Sequence, residues 1–149
     1  MNLTDTIETV LRQKGKHVWS VDPTTTVYDA LALMADLGIG ALVVLSGTEL
    51  AGLLSERDYA RKVILQGRSS KDTLVEEIMT SPVVTVTPQY TVDDCMRLMT
   101  DLHIRHLPVL VGSEVVGVVS IGDLVKWIMD AQRETIDHLS SYISGGYPA

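Results

Sequence analysis

The chain repeats itself when it is aligned with its own sequence at a shift of 65 residues. Val18 to Ile64 then lies over Val83 to Met129 without a gap, and 19 of the 47 aligned pairs are identical. Average composition would give about three identities by chance. The period is too long for a stacked solenoid and there are only two copies, so a closed pseudo-twofold pair is predicted. Any site that the repeated unit carries is therefore expected twice.

Length, charge and cysteine content narrow the class of protein. A chain of 149 residues can bury a sizeable core without a disulfide or a metal. Its net charge of -7 argues against nucleic acid as a partner, because phosphate binding needs clustered Lys and Arg. It shows no signal peptide and no apolar run long enough to span a membrane, so a cytoplasmic location is expected. The single Cys95 aligns with Ala30, which indicates a small buried residue.

Each copy is predicted to follow the order strand, helix, strand, strand, helix. In the first copy a helix begins after Thr26, with Asp29 placed to complete a capping box. A hairpin of two apolar strands follows, and Ser55 opens the closing helix, as Ser120 does in the second copy. The fold class is therefore α/β (α+β). A three-stranded sheet covered by two helices leaves one face for the other copy.

The repeats and their flanks divide the chain into five predicted segments. These are a helical lead-in at 1–15, the first repeat at 16–67, a linker with a short helix capped by Thr73 and Glu76 at 68–80, the second repeat at 81–131, and a helical extension with a loose tail at 132–149.

Recognisable catalytic motifs are missing from the sequence. There is no Gly-rich phosphate loop with a following Lys, no paired Cys motif, no HExxH and no GxSxG. None of the four histidines has the short helical spacing of a metal-binding pair. The chain is therefore expected not to be an enzyme and to hold neither a metal nor a catalytic cofactor.

A Ser-x-x-Asp pattern follows the second hairpin strand in both copies, as Ser55 with Asp58 and as Ser120 with Asp123. One interpretation is a capping box that only begins a helix. The other is a ligand site, because a helix N-terminus attracts phosphate and a carboxylate accepts hydrogen bonds from two ribose hydroxyls. Spacing alone does not decide between them.

A second candidate lies at the start of the second-copy hairpin, where Arg105 and His106 stand within an apolar frame. The first copy has Gly40 and Ala41 there, so the polar pair breaks the repeat. An Arg at the mouth of a strand favours an anion clamp over a solvated loop. Arg57 is a candidate for the same role in the first copy, whereas Arg61 and Lys62 are interpreted as a solvated helical face.

With these motifs the chain resembles the paired CBS domain module, named after cystathionine beta-synthase. The resemblance covers about residues 15 to 130. It rests on the segments that open the two repeats, 18–23 and 83–88, and on the segments that close them, 52–58 and 117–123. The segment 103–109 at the start of the second hairpin also supports it. It implies two pseudo-symmetric units packed through their sheets into a disc, in a stand-alone CBS domain-containing protein without an attached effector domain.

In such modules the Ser or Thr and the Asp of the closing motif bind the phosphate or ribose of an adenosine nucleotide. The resemblance therefore implies two nucleotide sites, in which Trp19 and Val84 form walls for the adenine and Arg105 with His106 reaches the phosphates. The Ser55 and Asp58 site is expected to bind a phosphate with help from Arg57 and Arg105. The full set of implied nucleotide-binding residues is Lys16, Trp19, Ser20, Ser55, Arg57, Asp58, Val84, Thr85, Arg105, His106, Ser120 and Asp123.

The function expected from the resemblance is regulatory sensing of adenine nucleotides. AMP is the first choice of ligand, and ATP, ADP, NAD and S-adenosylmethionine are alternatives. A homodimer and an unidentified protein partner are expected as well, with no nucleic acid and no membrane. The competing hypothesis is a ligand-independent dimerisation or interaction protein, in which Ser55 and Ser120 merely cap helices.

Overall fold

The computed structural model describes residues 2–144, the last three by their backbone alone. The predicted loose tail at 145–149 lies outside the described residues. The elements are α1 (Ile7–Lys14), β1 (Ser20–Val21), α2 (Val27–Leu37), β2 (Ala41–Ser46), β3 (Glu49–Ser55), α3 (Glu56–Tyr59) with a π-helical turn (Ala60–Ile64), α4 (Val75–Ile78), α5 (Val92–Leu102), β4 (His106–Val111), β5 (Glu114–Ser120) and α6 (Ile121–Ser144).

The chain forms two compact units. We call His17–Thr85 with Pro108–Val118 the sheet unit, and the described residues 2–16, 86–107 and 119–144 the helical unit. The strands β4 and β5 have residues in both units.

In the sheet unit, β1 pairs in parallel with β2, and β2 pairs antiparallel with β3. The two-residue turn between β2 and β3 contains Gly47 at φ 65, a left-handed conformation that favours glycine. Apolar side chains of α2, the hairpin and α4 form the core of this unit, namely Val27, Ala30, Met34, Leu42, Val44, Leu54, Val63, Val75 and Ile78. This core fixes the end of β3, where the Ser55 motif begins.

In the helical unit, α1 buries Ile7, Val10 and Leu11. Trp127 of α6 is almost fully buried, and its indole N–H donates to the Asp5 carboxylate at 3.0 Å. Because that indole is amphipathic, the hydrogen bond satisfies its one polar group while its rings pack inside. The N-terminal segment is thereby attached to α6.

The predicted hairpins are confirmed in both copies, but a three-stranded sheet forms in the first copy only. The second copy has a two-stranded sheet of β4 and β5, and Val86 is merely an isolated bridge residue. Its counterpart β1 is just two residues long. At that length the loss of a single bridging residue is enough to end the strand.

The cap predicted for the linker helix was wrong. Helix α4 begins after Leu74, whose N–H donates to the Glu77 carboxylate at 2.7 Å. Thr73 is buried, and its hydroxyl donates to the Ser69 carbonyl at 2.7 Å. The hydroxyl therefore closes the preceding turn, and it does not cap the helix.

Candidate functional site

The Ser55 motif forms a complete capping box at the start of α3. The Asp58 N–H donates to Ser55 Oγ at 3.1 Å, and the Ser55 N–H donates back to Asp58 Oδ2 at 3.0 Å. The Ser55 hydroxyl also donates to Asp58 Oδ2 at 3.0 Å. These bonds satisfy the first orphan N–H groups of the helix and hold the carboxylate in one orientation.

Two further donors reach the Asp58 carboxylate. The Thr80 hydroxyl lies 3.2 Å from Oδ1 and 3.4 Å from Oδ2, and the Lys62 ammonium lies 3.2 Å from Oδ1. Lys62 also donates to the Ile78 carbonyl at 2.9 Å. Lys62 is 45% exposed, as predicted for a solvated helical face, and its ammonium also links the π-helical turn to α4. Asp58 is a buried residue, with 8% of its whole surface exposed.

Gly52 allows Thr80 to come this close. Leu53 on β3 and Thr80 form an antiparallel bridge, with mutual hydrogen bonds of 3.0 and 2.8 Å. A Cβ on Gly52 would lie 2.5 Å from the Met79 sulfur, well inside van der Waals contact. The absence of a side chain at Gly52 therefore admits the 79–80 segment beside the Ser55 motif.

The Ser120 motif repeats the capping box at the start of α6, in the helical unit. The Asp123 N–H donates to Ser120 Oγ at 3.1 Å, and the Ser120 N–H donates to Asp123 Oδ2 at 2.8 Å. The Lys14 ammonium, at the end of α1, binds the same Oδ2 at 2.6 Å. The Asp123 side chain is 24% exposed, compared with 11% for Asp58. This carboxylate is thus more accessible and is paired with a cation from a distant part of the chain.

Arg105 lies beside the second motif. Its carbonyl accepts from the Ile121 N–H at 2.8 Å, just as the Gly40 carbonyl accepts from the Glu56 N–H at 3.1 Å in the first copy. The Arg105 side chain is exposed and His106 is half-buried. The Arg105 backbone is therefore positioned at the Ser120 motif. The predicted role of Arg105 at the Ser55 and Asp58 site stays a prediction.

An exposed aromatic pair precedes β1. The Trp19 and His17 rings stack with centroids 5.3 Å apart and planes 10° apart, and Trp19 is 43% exposed. Stacked aromatic groups of this kind offer a flat surface to a nucleobase.

The predicted site residues fall into two groups. The sheet unit contains Trp19, Ser20, Ser55, Arg57, Asp58, Val84 and Thr85, and the helical unit contains Lys16, Arg105, His106, Ser120 and Asp123.

Lys14, Lys62 and Thr80 are site neighbours that the motif search missed. Lys62 stands four residues after Asp58, a spacing at which helical side chains meet, so a charge-pair search could have found it. Lys14 and Thr80 reach their carboxylates from outside the motifs, and no local pattern signals either contact.

Among residues 2–144, no group of three or more His, Cys, Asp or Glu side chains is arranged to hold a metal ion. No helix in that range is long and apolar enough to cross a membrane.

Burial raises the pKa of the Cys95 thiol to about 12. At neutral pH this cysteine is therefore a packing residue and not a nucleophile.

The domain family follows from a match that occurs twice. The model of the CBS domain fits residues 14–64 and again residues 75–130. The chain belongs to the CBS domain family. A pair of CBS domains is a regulatory module, and the two capping boxes lie at equivalent places in its two repeats.

Relatives and solved structures agree with this family. The CBS pair is 46% identical over 152 residues to the mitochondrial CBS domain-containing protein CBSX3 of Arabidopsis thaliana, covering 95% of this chain and 73% of that protein. A solved CBS-domain protein from Burkholderia ambifaria is 51% identical, with a TM-score of 0.82 over 85% of this chain and 96% of the other. The CBS domain pair of protein MJ0100, solved with methylthioadenosine and S-adenosyl-L-methionine, shares the fold at 23% identity and a TM-score of 0.76, covering 85% and 97% of the two chains.

Proposed function

We propose that this CBS pair is a regulatory module that binds adenine nucleotides at its two Ser-x-x-Asp motifs. The observation that carries the proposal is the same pre-oriented Ser and Asp pair at the strand-to-helix junction of both repeats. A fixed carboxylate accepts hydrogen bonds from ribose hydroxyls, and the adjacent helix N-terminus favours a phosphate. AMP is the first candidate ligand, with ATP, ADP, NAD and S-adenosylmethionine as the other candidates.

The Asp123 motif is the readier of the two sites. Both hydrogen bonds described for its carboxylate use Oδ2, so a ribose hydroxyl can approach Oδ1 without displacing them. Lys14 supplies a cation at the same place for a phosphate. At Asp58, in contrast, both oxygens already accept from Thr80, and Lys62 contacts Oδ1. A ligand there has to replace one of these donors.

The remaining predicted residues are assigned to the same ligands. Trp19 and Val84, at 43% and 39% exposure, are assigned to the adenine as apolar surface. Lys16, Ser20 and Thr85 are assigned to the same opening segments of the two repeats. The charged groups Arg57, Arg105 and His106 are assigned to phosphates. The adenosine compounds held by the MJ0100 pair fit this ligand class.

A ligand acts on a partner only if it binds two states of the module with different affinity. We propose that the protein is a homodimer and passes its ligand state to a protein partner. The cytoplasmic location and the absence of catalysis stay predictions.

Thermal unfolding with a panel of AMP, ATP, NAD and S-adenosylmethionine tests this function. We expect at least one ligand to raise the Tm of the wild type in proportion to its concentration. Asp58→Ala and Asp123→Ala should each reduce that rise, while Asp36→Ala, an exposed carboxylate on α2, should leave it intact. If no ligand raises the Tm and neither motif variant differs from the control, the sensor function is wrong.

The second candidate function is a ligand-independent interaction protein. It is favoured by the complete capping boxes, since Ser55 with Asp58 and Ser120 with Asp123 already have a structural role. Unchanged Tm values across the panel, together with a stable oligomer, would support this function.

A further inference from the structure

Helix α6 continues well past the repeat to which it belongs. Its first-copy counterpart, α3 with the π-helical turn, ends at Ile64, which aligns with Met129. Beyond that point α6 runs on to Ser144, and every side chain from Gln132 to Ser141 is exposed. Helices in proteins are stabilised mainly by packing of one face, so a segment exposed on all sides lacks this stabilisation.

The exposed part of α6 carries apolar residues at alternating spacings of four and three. Val125, Met129, Ile136 and Leu139 are 41%, 54%, 64% and 53% exposed, and Gln132 stands between them in the same series. We call these five residues the α6 stripe. The spacing is that of the a and d positions of a coiled coil, with Met129 and Ile136 at a and the other three at d.

We propose that the α6 stripe pairs in parallel with the α6 stripe of a second copy of this chain. Ile136 at an a position with Leu139 at the next d position is the combination that favours a parallel two-stranded pair. Gln132 at a core position favours one register, because a polar group there is best satisfied by its own copy. The surface is self-complementary, as a twofold dimer interface requires.

The charges beside the stripe select the parallel orientation. In a parallel pair Arg133 faces Ile128 of the other helix, and Thr135 faces Ser140, so no like charges meet. In an antiparallel pair centred on the stripe, Arg133 would face its own copy, and like charges there are unfavourable.

An apolar groove widens this surface. The α6 stripe is about 21 Å long at 1.5 Å per residue, which is only two heptads. Beside it lies a groove of about 660 Å³ between α6 and the N-terminal segment, lined by Leu3, Ile128, Ala131 and Ile136 among others. Ile136 belongs to both surfaces. The groove therefore adds contact area for the partner helix where the stripe alone is short.

This pairing does not depend on nucleotide binding, and it assigns a surface to the proposed homodimer. Sedimentation of the full chain tests whether that surface is used. We expect the wild type to be a dimer. Ile136→Asp should be a monomer that still unfolds cooperatively and loses only the helical circular dichroism signal of the unpaired end of α6. Ser141→Asp adds the same charge on the opposite side of the helix and should remain a dimer. A monomeric wild type, or an Ile136→Asp protein that still dimerises, would overturn the proposal without affecting the nucleotide sites.

Disulfide trapping tests the orientation. In a Cys95→Ala background, Gln132→Cys should form a linked dimer on mild oxidation, because parallel pairing places this position beside its own copy. Glu134→Cys, on the outer face, should link poorly. If Gln132→Cys links only when mixed with Ile136→Cys, the pair is antiparallel and the proposed arrangement is wrong.

Discussion

Asp58 and Asp123 stand at the same position of two copies of one sequence unit, and each carboxylate completes a capping box. Around Asp58, the further donors are the Thr80 hydroxyl and Lys62. Around Asp123, the further donor is Lys14, 109 residues away in the chain. Both boxes come from duplicated residues, whereas Lys14 and Thr80 come from the segments that precede the aligned copies.

The difference shows how a duplicated unit acquires two unlike sites. At the shift of 65 residues, Lys14 aligns with Met79 and Gly15 with Thr80. One preceding segment therefore brings an ammonium to its motif, and the other brings a hydroxyl beside a methionine that packs on Gly52. In the proposed function, the repeat sets where a ligand's ribose is held, and the preceding segment sets which group of the chain lies beside that motif.

The largest expected effect is the unequal cost of removing the two carboxylates. Asp58→Ala should lower the free energy of unfolding by about 2 kcal/mol, because it deletes a capping box and removes the largely buried acceptor of the Thr80 hydrogen bond and the Lys62 ion pair. Asp123→Ala should cost about 1 kcal/mol, because its ion pair with Lys14 is partly exposed. Urea unfolding of both variants measures this difference, and equal costs would show that the two environments are equivalent.

Lys14→Met replaces the lysine at the end of α1 with methionine, the residue type of Met79 at the aligned position before the second copy. We expect the affinity for AMP at the Asp123 motif to fall about tenfold, since a charge-assisted contact to phosphate is lost. Binding of adenosine, which has no phosphate, should change little. Arg12→Met removes another cation from the same helix and is the control. An equal loss for AMP and adenosine would contradict a phosphate role for Lys14.

Thr80→Val removes the hydroxyl donor at Asp58 and keeps the shape of the side chain. The free energy of unfolding should fall by about 0.5 kcal/mol, the low end of the range for one such hydrogen bond, because Thr80 is an exposed residue. The matching change in the exposed turn residue Thr48 should have no measurable effect. Urea unfolding measures the stability of both variants. Equal stabilities would show that the Thr80 hydroxyl does not stabilise the Asp58 carboxylate.

The smallest expected effect concerns Cys95 and Ala30, which occupy one position in the two copies and are both fully buried. Because burial raises the pKa of the Cys95 thiol to about 12, almost no thiolate exists at pH 8. A thiol reagent should therefore not label the native protein and should label it fully in denaturant. Rapid labelling of the native protein would mean that this position opens to solvent in the second copy.

Periodicity and repetition predicted much of the fold correctly. The hairpins, the cap at Thr26 and the boxes at Ser55 and Ser120 depend on residues close in sequence, so local patterns were sufficient. The prediction of a third strand in the second copy was wrong, because even its first-copy counterpart, β1, is only two residues long. The partners Lys14 and Thr80 could not be predicted, since their contacts join segments that are distant in sequence.

Calorimetric titration of the full chain with AMP tests the central claim of two unlike nucleotide sites most directly. We predict two binding events per chain with unequal affinities, and loss of the tighter one in Asp123→Ala, checked for folding by circular dichroism. Two events of equal affinity, or loss of the weaker one in that variant, would contradict the account. So would the absence of binding heat for AMP and for every other nucleotide of the panel.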